Sequence, residues 1–325
     1  MGMDARNMIA RLNPDEILGR AAEAKRRSSP CTLCPRQCKV DRVAGETGFC
    51  GAGTYPSIAA ALPHFGEEPP LTGPGGAGTI FFSGCNLRCT YCQNHQISQG
   101  MLGSAVAPGD LAGRILELQA QGCSTIEPVS PTHHLPGLLE ALAIARKGGL
   151  DLPVVYNTNA YESRGTLHLL HGIVDVYLPD LKYASDDIAH RCSAVGDYVQ
   201  TARDAIIEMH AQVGNLVVDL KGLAVRGLIL RHLLLPNSLS GTEETLLWVR
   251  DNLPRTITLS LMAQYSPQHR SHGFSPLNRR ITQEEYEAAV DLAWRIGLEN
   301  TFVQELASQD CGVPDFQLEN PFNRD

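Results

Sequence analysis

The chain has 325 residues, 43% of them hydrophobic, and a formal net charge of -8 from 27 basic and 35 acidic side chains. That balance excludes the basic footprint of a nucleic-acid binder, and no apolar run approaches the roughly 20 residues that a transmembrane helix needs. The opening MGMDARNMIARLNPDEILGRAAEAKRR carries acids and no apolar signal core, so export is not expected and the cytoplasm is the expected compartment.

In chain order, residues 4–27 read as a short helix with Leu12, Ile17 and Leu18 among charges. Residues 28–76 turn rich in Pro, Gly and Cys, a composition that builds little core and relies on bound metal for its order. The stretch EEPPLTGPGGAG at 67–78 reads as a turn-forming linker. A repeating pattern then begins, with strands expected at 79–84, 124–129, 153–158, 174–181, 227–236 and 257–265. Between and after them, helical spacing of apolar residues marks 110–122, 135–148, 161–172, 197–214, 242–253 and 282–297. Near-continuous apolar strands alternating with amphipathic helices mean an α/β fold whose parallel sheet is covered on both faces. Six units suit either a partial (β/α) barrel or a doubly wound open sheet. Cys85, Asn157, Asn159, Asp180, Lys182, His232 and Gln264 lie within or just after strands, at the end where barrel active sites gather. The expected division is an N-terminal helix and Cys-rich segment at 1–76, the β/α region at 77–305, and a patternless tail at 306–325.

Ten cysteines in a reducing compartment are not read as disulfides, and their clustering points to metal. Cys85, Cys89 and Cys92 form C-x3-C-x2-C inside GTIFFSGCNLRCTYCQN. Three thiolates this close each bind one iron of a [4Fe–4S] cube and leave the fourth iron open to an exogenous ligand. The alternatives are a structural zinc completed by His95, and ordinary burial. The Gly-ended apolar strand just before the motif favours the open cluster. Cys31, Cys34, Cys38 and Cys50 form C-x2-C-x3-C-x11-C, with Pro35 and Gly48 shaping the turns. Four thiolates close a zinc site or fill every iron of a second [4Fe–4S] cluster, and spacing alone does not choose between these or exclude a metal-free segment. Cys123, Cys192 and Cys311 stand alone and are expected to be buried.

The segment FFSGCNLRCTYCQNHQIS resembles the cluster loop of radical S-adenosylmethionine (SAM) proteins related to pyruvate formate-lyase activating enzymes. CTLCPRQCKVDR, PVSPTHH, PVVYNTNAYES, VDVYLPDLKY, LILRHLLLPN and LMAQYSP are similar to the same branch, in the same order, over roughly residues 28–297. The resemblance implies a partial (β/α)6 radical SAM barrel, SAM on the open iron, and an enzyme that abstracts hydrogen through a 5′-deoxyadenosyl radical. It places the backbone of Tyr91 near the adenine. Ser130-Pro131-Thr132-His133 stands where many relatives have the Gly-Gly-Glu run that holds the SAM amine, which leaves Thr132 and His133 as candidates for that role. Asn157 and Asn159 are implied at the ribose or methionine moiety, and Asp180 with Lys182 at the SAM carboxylate. Arg231 and His232 on the fifth strand, and Gln264 with Tyr265 at the end of the sixth, complete the implied cofactor contacts. A flavodoxin or ferredoxin is the implied electron donor. The implied substrate is a protein or peptide, glycyl-radical activation included. A small metabolite, or a non-catalytic iron–sulfur or zinc protein, is the alternative. Known activating enzymes with extra clusters carry them after the triad, whereas here the extra cysteines precede it.

Overall fold

The computed structural model describes residues 11–306 and 313–322. Residues 4–10 of the expected first helix, and Cys311, lie outside the described residues. Helix α1 (Pro14–Arg26) starts at Asn13, whose side chain accepts from the backbone N–H groups of Asp15 and Glu16, and Glu16 reaches back to complete a capping box. Its buried residues Ile17, Ala21 and Ala24 turn inward, and α1 packs on a helix of the β/α region.

Strand β1 (Ser57–His64), helix α2 (Pro69–Thr72) and strand β2 (Ala77–Phe82) follow, then α3 (His95–Ser98), β3 (Ser104–Ala105), α4 (Pro108–Ala120) and β4 (Thr125–Val129). The alternation continues through α5 (Leu135–Lys147), β5 (Val155–Thr158), α6 (Arg164–Leu170), β6 (Val176–Pro179), α7 (Asp186–Ser193) and α8 (Tyr198–Val213). It ends with β7 (Val217–Val218), β8 (Ala224–Leu233), α9 (Thr242–Asn252), β9 (Thr258–Met262), α10 (Gln283–Arg295) and β10 (Thr301–Val303). One ten-stranded sheet runs β10-β9-β8-β6-β5-β4-β2-β1-β3, with β7 paired to β8. From β2 through β10 along that order the pairings are parallel, while β1 and β3 run antiparallel. The sheet is not closed: β3 and β10 are its two edges. The expected α/β architecture is therefore present as an unclosed, mostly parallel sheet.

Two parts of the N-terminal region depart from expectation. Residues 57–64 form a strand that joins the sheet beside β2, so the Cys-rich segment contributes core as well as loops. Residues 67–78 are not a linker. Leu71 of α2 is fully buried against Val155, Val176, Leu178, Ala224 and Ile229, the inward-facing residues of three central strands. Thr125 donates to the Leu71 carbonyl at 3.2 Å, which fixes the plug against β4. A sheet that curls without closing leaves its inner floor open to water, and this short helix supplies the apolar cover. In the tail, Phe316 and Phe322 pack against Phe81 with ring centroids 5.2 and 5.6 Å apart. Among the described residues no helix is long and apolar enough to cross a membrane.

Candidate active site

Side chains of a strand alternate between its two faces, and here one face of each central strand opens onto a cavity of about 520 Å³. Asn157 and Asn159 from β5 and its end, Asp180 after β6, Arg231 on β8, and Ser260, Met262 and Gln264 on and after β9 all line it. The alternating residues, such as Tyr156, Tyr177, Leu230 and Leu261, belong to the core beneath the helices. Cys85, Cys89, Tyr91 and Cys92 line the cavity from the loop that follows β2.

Each of those three sulfurs faces a hydrogen-bond donor. Cys85 Sγ accepts from the Leu87 backbone N–H and from Asn159 Nδ2, both at 3.4 Å. Cys89 Sγ accepts from Ser193 Oγ at 2.9 Å, and Cys92 Sγ lies 3.2 Å from Ser98 Oγ. Tyr183 links the Ser193 hydroxyl to Tyr91, with O–O distances of 2.6 Å on both sides. Burial, and then the neighbouring Cys89, push the Cys85 thiol up to about 12; the same causes push Cys92 up to about 11. Buried thiols this basic become thiolates only beside a cation, so the donor set fits iron held as a cluster. Lys182 supplies positive charge on the cavity wall. Burial pulls its ammonium down, but the Asp180 carboxylate 2.6 Å away and the facing Cys89 hold it charged above the ordinary lysine range.

The segment before the triad is braced from behind. His133 and His134 both place Nε2 on the Ser83 carbonyl, at 2.9 and 2.8 Å. A carbonyl only accepts, so both rings donate from Nε2, and burial favours the neutral form of each. Burial pushes His133 down to about 4. Gly84 follows with φ +84, and an added Cβ there would lie 2.3 Å from the Cys50 carbonyl oxygen.

Three residues expected at the cofactor lie elsewhere. His133 is committed to Ser83. Thr132 is buried in the turn after β4, its hydroxyl donating to Glu162 at 2.5 Å. His232 follows inward-facing Arg231 and so points outward, bonded to the Leu181 carbonyl at 2.7 Å and to Thr242 at 3.0 Å. None of the three lines the cavity. Arg231 does line it, but its guanidinium is taken: Nε and Nη2 meet Glu68 at 2.8 and 2.5 Å, and Nη2 also meets Glu67. Glu127, two residues before the end of β4, joins this floor by accepting from Asn157 Nδ2 at 2.8 Å. Burial raises the Glu127 carboxyl well above the usual range, with Glu67 adding to the effect. Glu67, Glu68, Glu127, Ser98 and Ser193 were not anticipated. Strand parity with Val129 was the one available signal, for Glu127. His95, the alternative zinc ligand, stacks on His269 with ring centroids 4.8 Å apart.

In the N-terminal group Cys31 and Cys34 are buried, Cys50 is half-buried and Cys38 is exposed. Cys123 and Cys192 are buried, as expected. Among the described residues no three His, Cys, Asp or Glu side chains are gathered about a point that would hold a single metal ion. A cube takes each thiolate on a different iron and does not require such a grouping.

A family model described as the radical SAM superfamily matches residues 79–220. The uncharacterized protein MJ0674 of Methanocaldococcus jannaschii is 33% identical over 279 residues, covering 83% of this chain and 75% of that protein. This chain belongs to the radical SAM superfamily. A second uncharacterized protein of the same organism, MJ0808, is 25% identical over 301 residues, covering 84% of this chain and 80% of its own. Among solved structures, a radical SAM methyltransferase from Sphaerobacter thermophilus matches with a TM-score of 0.47 and 13% identity. That match covers 70% of this chain and 65% of the methyltransferase, just under two thirds of its length. Membership in the superfamily implies an enzyme that uses SAM and a [4Fe–4S] cluster, and the cavity's three cysteines have the residue types and donors such a cluster needs.

Proposed function

We propose that this chain cleaves SAM reductively at a [4Fe–4S] cluster held by Cys85, Cys89 and Cys92 and abstracts hydrogen from a protein or peptide, glycyl-radical activation included. The observation that carries the reading is the cavity that Lys182 lines together with three sulfurs, each beside an N–H or hydroxyl group. When bound, the cluster and SAM supply one-electron chemistry that yields methionine and a 5′-deoxyadenosyl radical. The chain's own residues bind, orient and exclude water. Lys182 offers a charge-assisted donor to a carboxylate, and Asp180, 2.6 Å from it, fixes its position. Asn157, Asn159, Gln264 and Tyr265 also line the cavity, and Phe81 and Phe82 add apolar surface to it.

Support for a macromolecular substrate comes from the unclosed sheet. Phe302 and Val303 on edge strand β10, and His64 and Phe81 towards the other end of the strand order, all line the cavity, which thus spans the unclosed sheet, with Phe322 of the tail against His64. A flavodoxin or ferredoxin is the natural class of electron donor for such a cluster. The test is to incubate anaerobically reconstituted, reduced protein with SAM and a proteome labelled with α-deuterated glycine. Deuterium in the recovered 5′-deoxyadenosine supports glycine abstraction. Label transfer only from the small-molecule fraction contradicts the protein substrate.

A further inference from the structure

The SAM cavity leaves unused a second group of cysteines and two arginines packed against it. Residues 31–40 fold into a tight turn: Cys31 N–H donates to the Val40 carbonyl at 2.9 Å, and Lys39 N–H returns to the Cys31 carbonyl at 3.0 Å. Gln37 and Lys39 take positive φ to make that turn. The segment that carries Cys50 turns beside the other three cysteines, with Gly51 N–H donating to the Gly48 carbonyl at 3.0 Å. Gly48 leaves room for the third of them, since an added Cβ there would lie 2.4 Å from Cys38 Sγ.

Arg42 is 3% exposed. Its Nη2 donates to the Gly53 carbonyl, but Nε and Nη1 have no hydrogen-bond partner among the described residues. A buried guanidinium with idle N–H groups is costly unless negative charge completes it. Arg36 stands on the other side. Its Nε donates to the Asn86 carbonyl at 2.8 Å, its Nη2 to the Ala194 carbonyl at 2.7 Å, and its plane lies 3.5 Å from the Phe49 ring centroid. Through the Asn86 carbonyl it ties the turn that carries Cys34 to the residue after Cys85. Four thiolates on a doubly charged cluster core leave a dianion, and two arginines match it.

We propose that Cys31, Cys34, Cys38 and Cys50 hold an auxiliary [4Fe–4S] cluster, seated directly against the loop that carries Cys85 and neutralised by Arg42 and Arg36. Four thiolates would also close a zinc site of the same charge, and a count of iron and zinc tells the two apart. The seat is backbone on backbone, with the Cys50 carbonyl against Gly84 and Arg88 Nη2 donating to the Phe49 carbonyl at 3.2 Å. With every iron ligated by protein, this centre has no site for SAM or substrate. The inference goes beyond the SAM-cleavage reading and does not depend on it.

The experiment counts iron and zinc in three anaerobically reconstituted proteins: the native chain, a Cys85→Ala/Cys89→Ala/Cys92→Ala variant and a Cys34→Ala/Cys38→Ala variant. The native chain is expected to hold about eight irons and each variant about four, with no stoichiometric zinc. The paramagnetic signal of the reduced triad variant is expected to ignore added SAM, and that of the Cys34→Ala/Cys38→Ala variant to respond to it. Arg42→Gln, placed in the triad variant, is expected to lower the potential of the remaining cluster, because a buried cation has been removed from a dianion. No iron in the triad variant, or one zinc there in place of iron, overturns the proposal. If the Cys34→Ala/Cys38→Ala variant fails to fold, the triad variant alone decides. Nucleoside formation is read separately, so failure of SAM cleavage is not confused with failure of this site.

Discussion

Replacing Arg231 by Met would leave two carboxylates on the cavity floor without their cation. Glu67 and Glu68 come from the segment that plugs the sheet, with side chains 9% and 7% exposed, and Arg231 reaches them from β8 across more than 160 residues of sequence. Burial works against the Glu68 carboxylate, yet the Arg231 charge and hydrogen bonds hold it below the usual range. Breaking a buried pair by removing one partner costs about 3–5 kcal/mol, because an uncompensated charge stays behind. Removing all three charges together is far cheaper, since no buried ion remains. The expected result is that Arg231→Met lowers stability by about 4 kcal/mol, while Glu67→Gln/Glu68→Gln/Arg231→Met recovers most of the loss. Urea unfolding followed by circular dichroism, with all variants reconstituted alike, reads the difference. Limited proteolysis is expected to open the 65–76 segment in the single variant first. A loss under about 1 kcal/mol for Arg231→Met, the scale of an exposed pair, would refute the buried lock. Equal losses in the single and triple variants would refute it as well.

Lys182→Ala is expected to weaken SAM binding by roughly 10- to 100-fold, the worth of one charge-assisted hydrogen bond of about 1.5–3 kcal/mol. Equilibrium dialysis against the reconstituted protein checks this, and an unchanged Kd would remove Lys182 from the cofactor. Gly84→Ala places a Cβ on a residue at φ +84 and drives it into the Cys50 carbonyl, beyond the roughly 1–2 kcal/mol of left-handed strain alone. It should depress iron loading at the triad and lower Tm; full iron content at native Tm would contradict the close approach. Glu162 is buried with Thr132 and Thr158 donating to it, and burial raises its carboxyl to about 7. A folded-state value above the unfolded one favours the fold at low pH and is lost as pH rises. The native chain should therefore shed about 3 kcal/mol between pH 4.5 and 7 that Glu162→Gln does not shed. Parallel stability–pH curves for the two proteins would show that this carboxyl does not govern the slope.

The alternation of apolar runs and helical spacing made the parallel sheet legible, because each strand and helix carries its own period. Parity along a strand explains which of the expected residues reach the cavity and which do not. Asn157, Asn159, Asp180 and Gln264 share the inward face, whereas Arg231 and His232 are adjacent and cannot both reach it. The floor was illegible for a different reason. Glu67 and Glu68 sit among prolines and glycines that read as a turn, and only tertiary packing of Leu71 under the sheet brings them to Arg231. The donors to the sulfurs were hidden likewise. Ser193 lies more than 100 residues from Cys89 and ends a helix, α7, that periodicity had not marked. The three cysteines themselves were readable because three ligands in eight residues need no long-range contact to be brought together.

Formation of 5′-deoxyadenosine tests the central claim most directly. Anaerobically reconstituted protein, reduced and given SAM, should yield the nucleoside together with methionine, and Cys85→Ala, Cys89→Ala and Cys92→Ala should each abolish it. No nucleoside from native protein carrying its full iron, or nucleoside retained in all three variants, would contradict the assignment of this cavity to SAM cleavage.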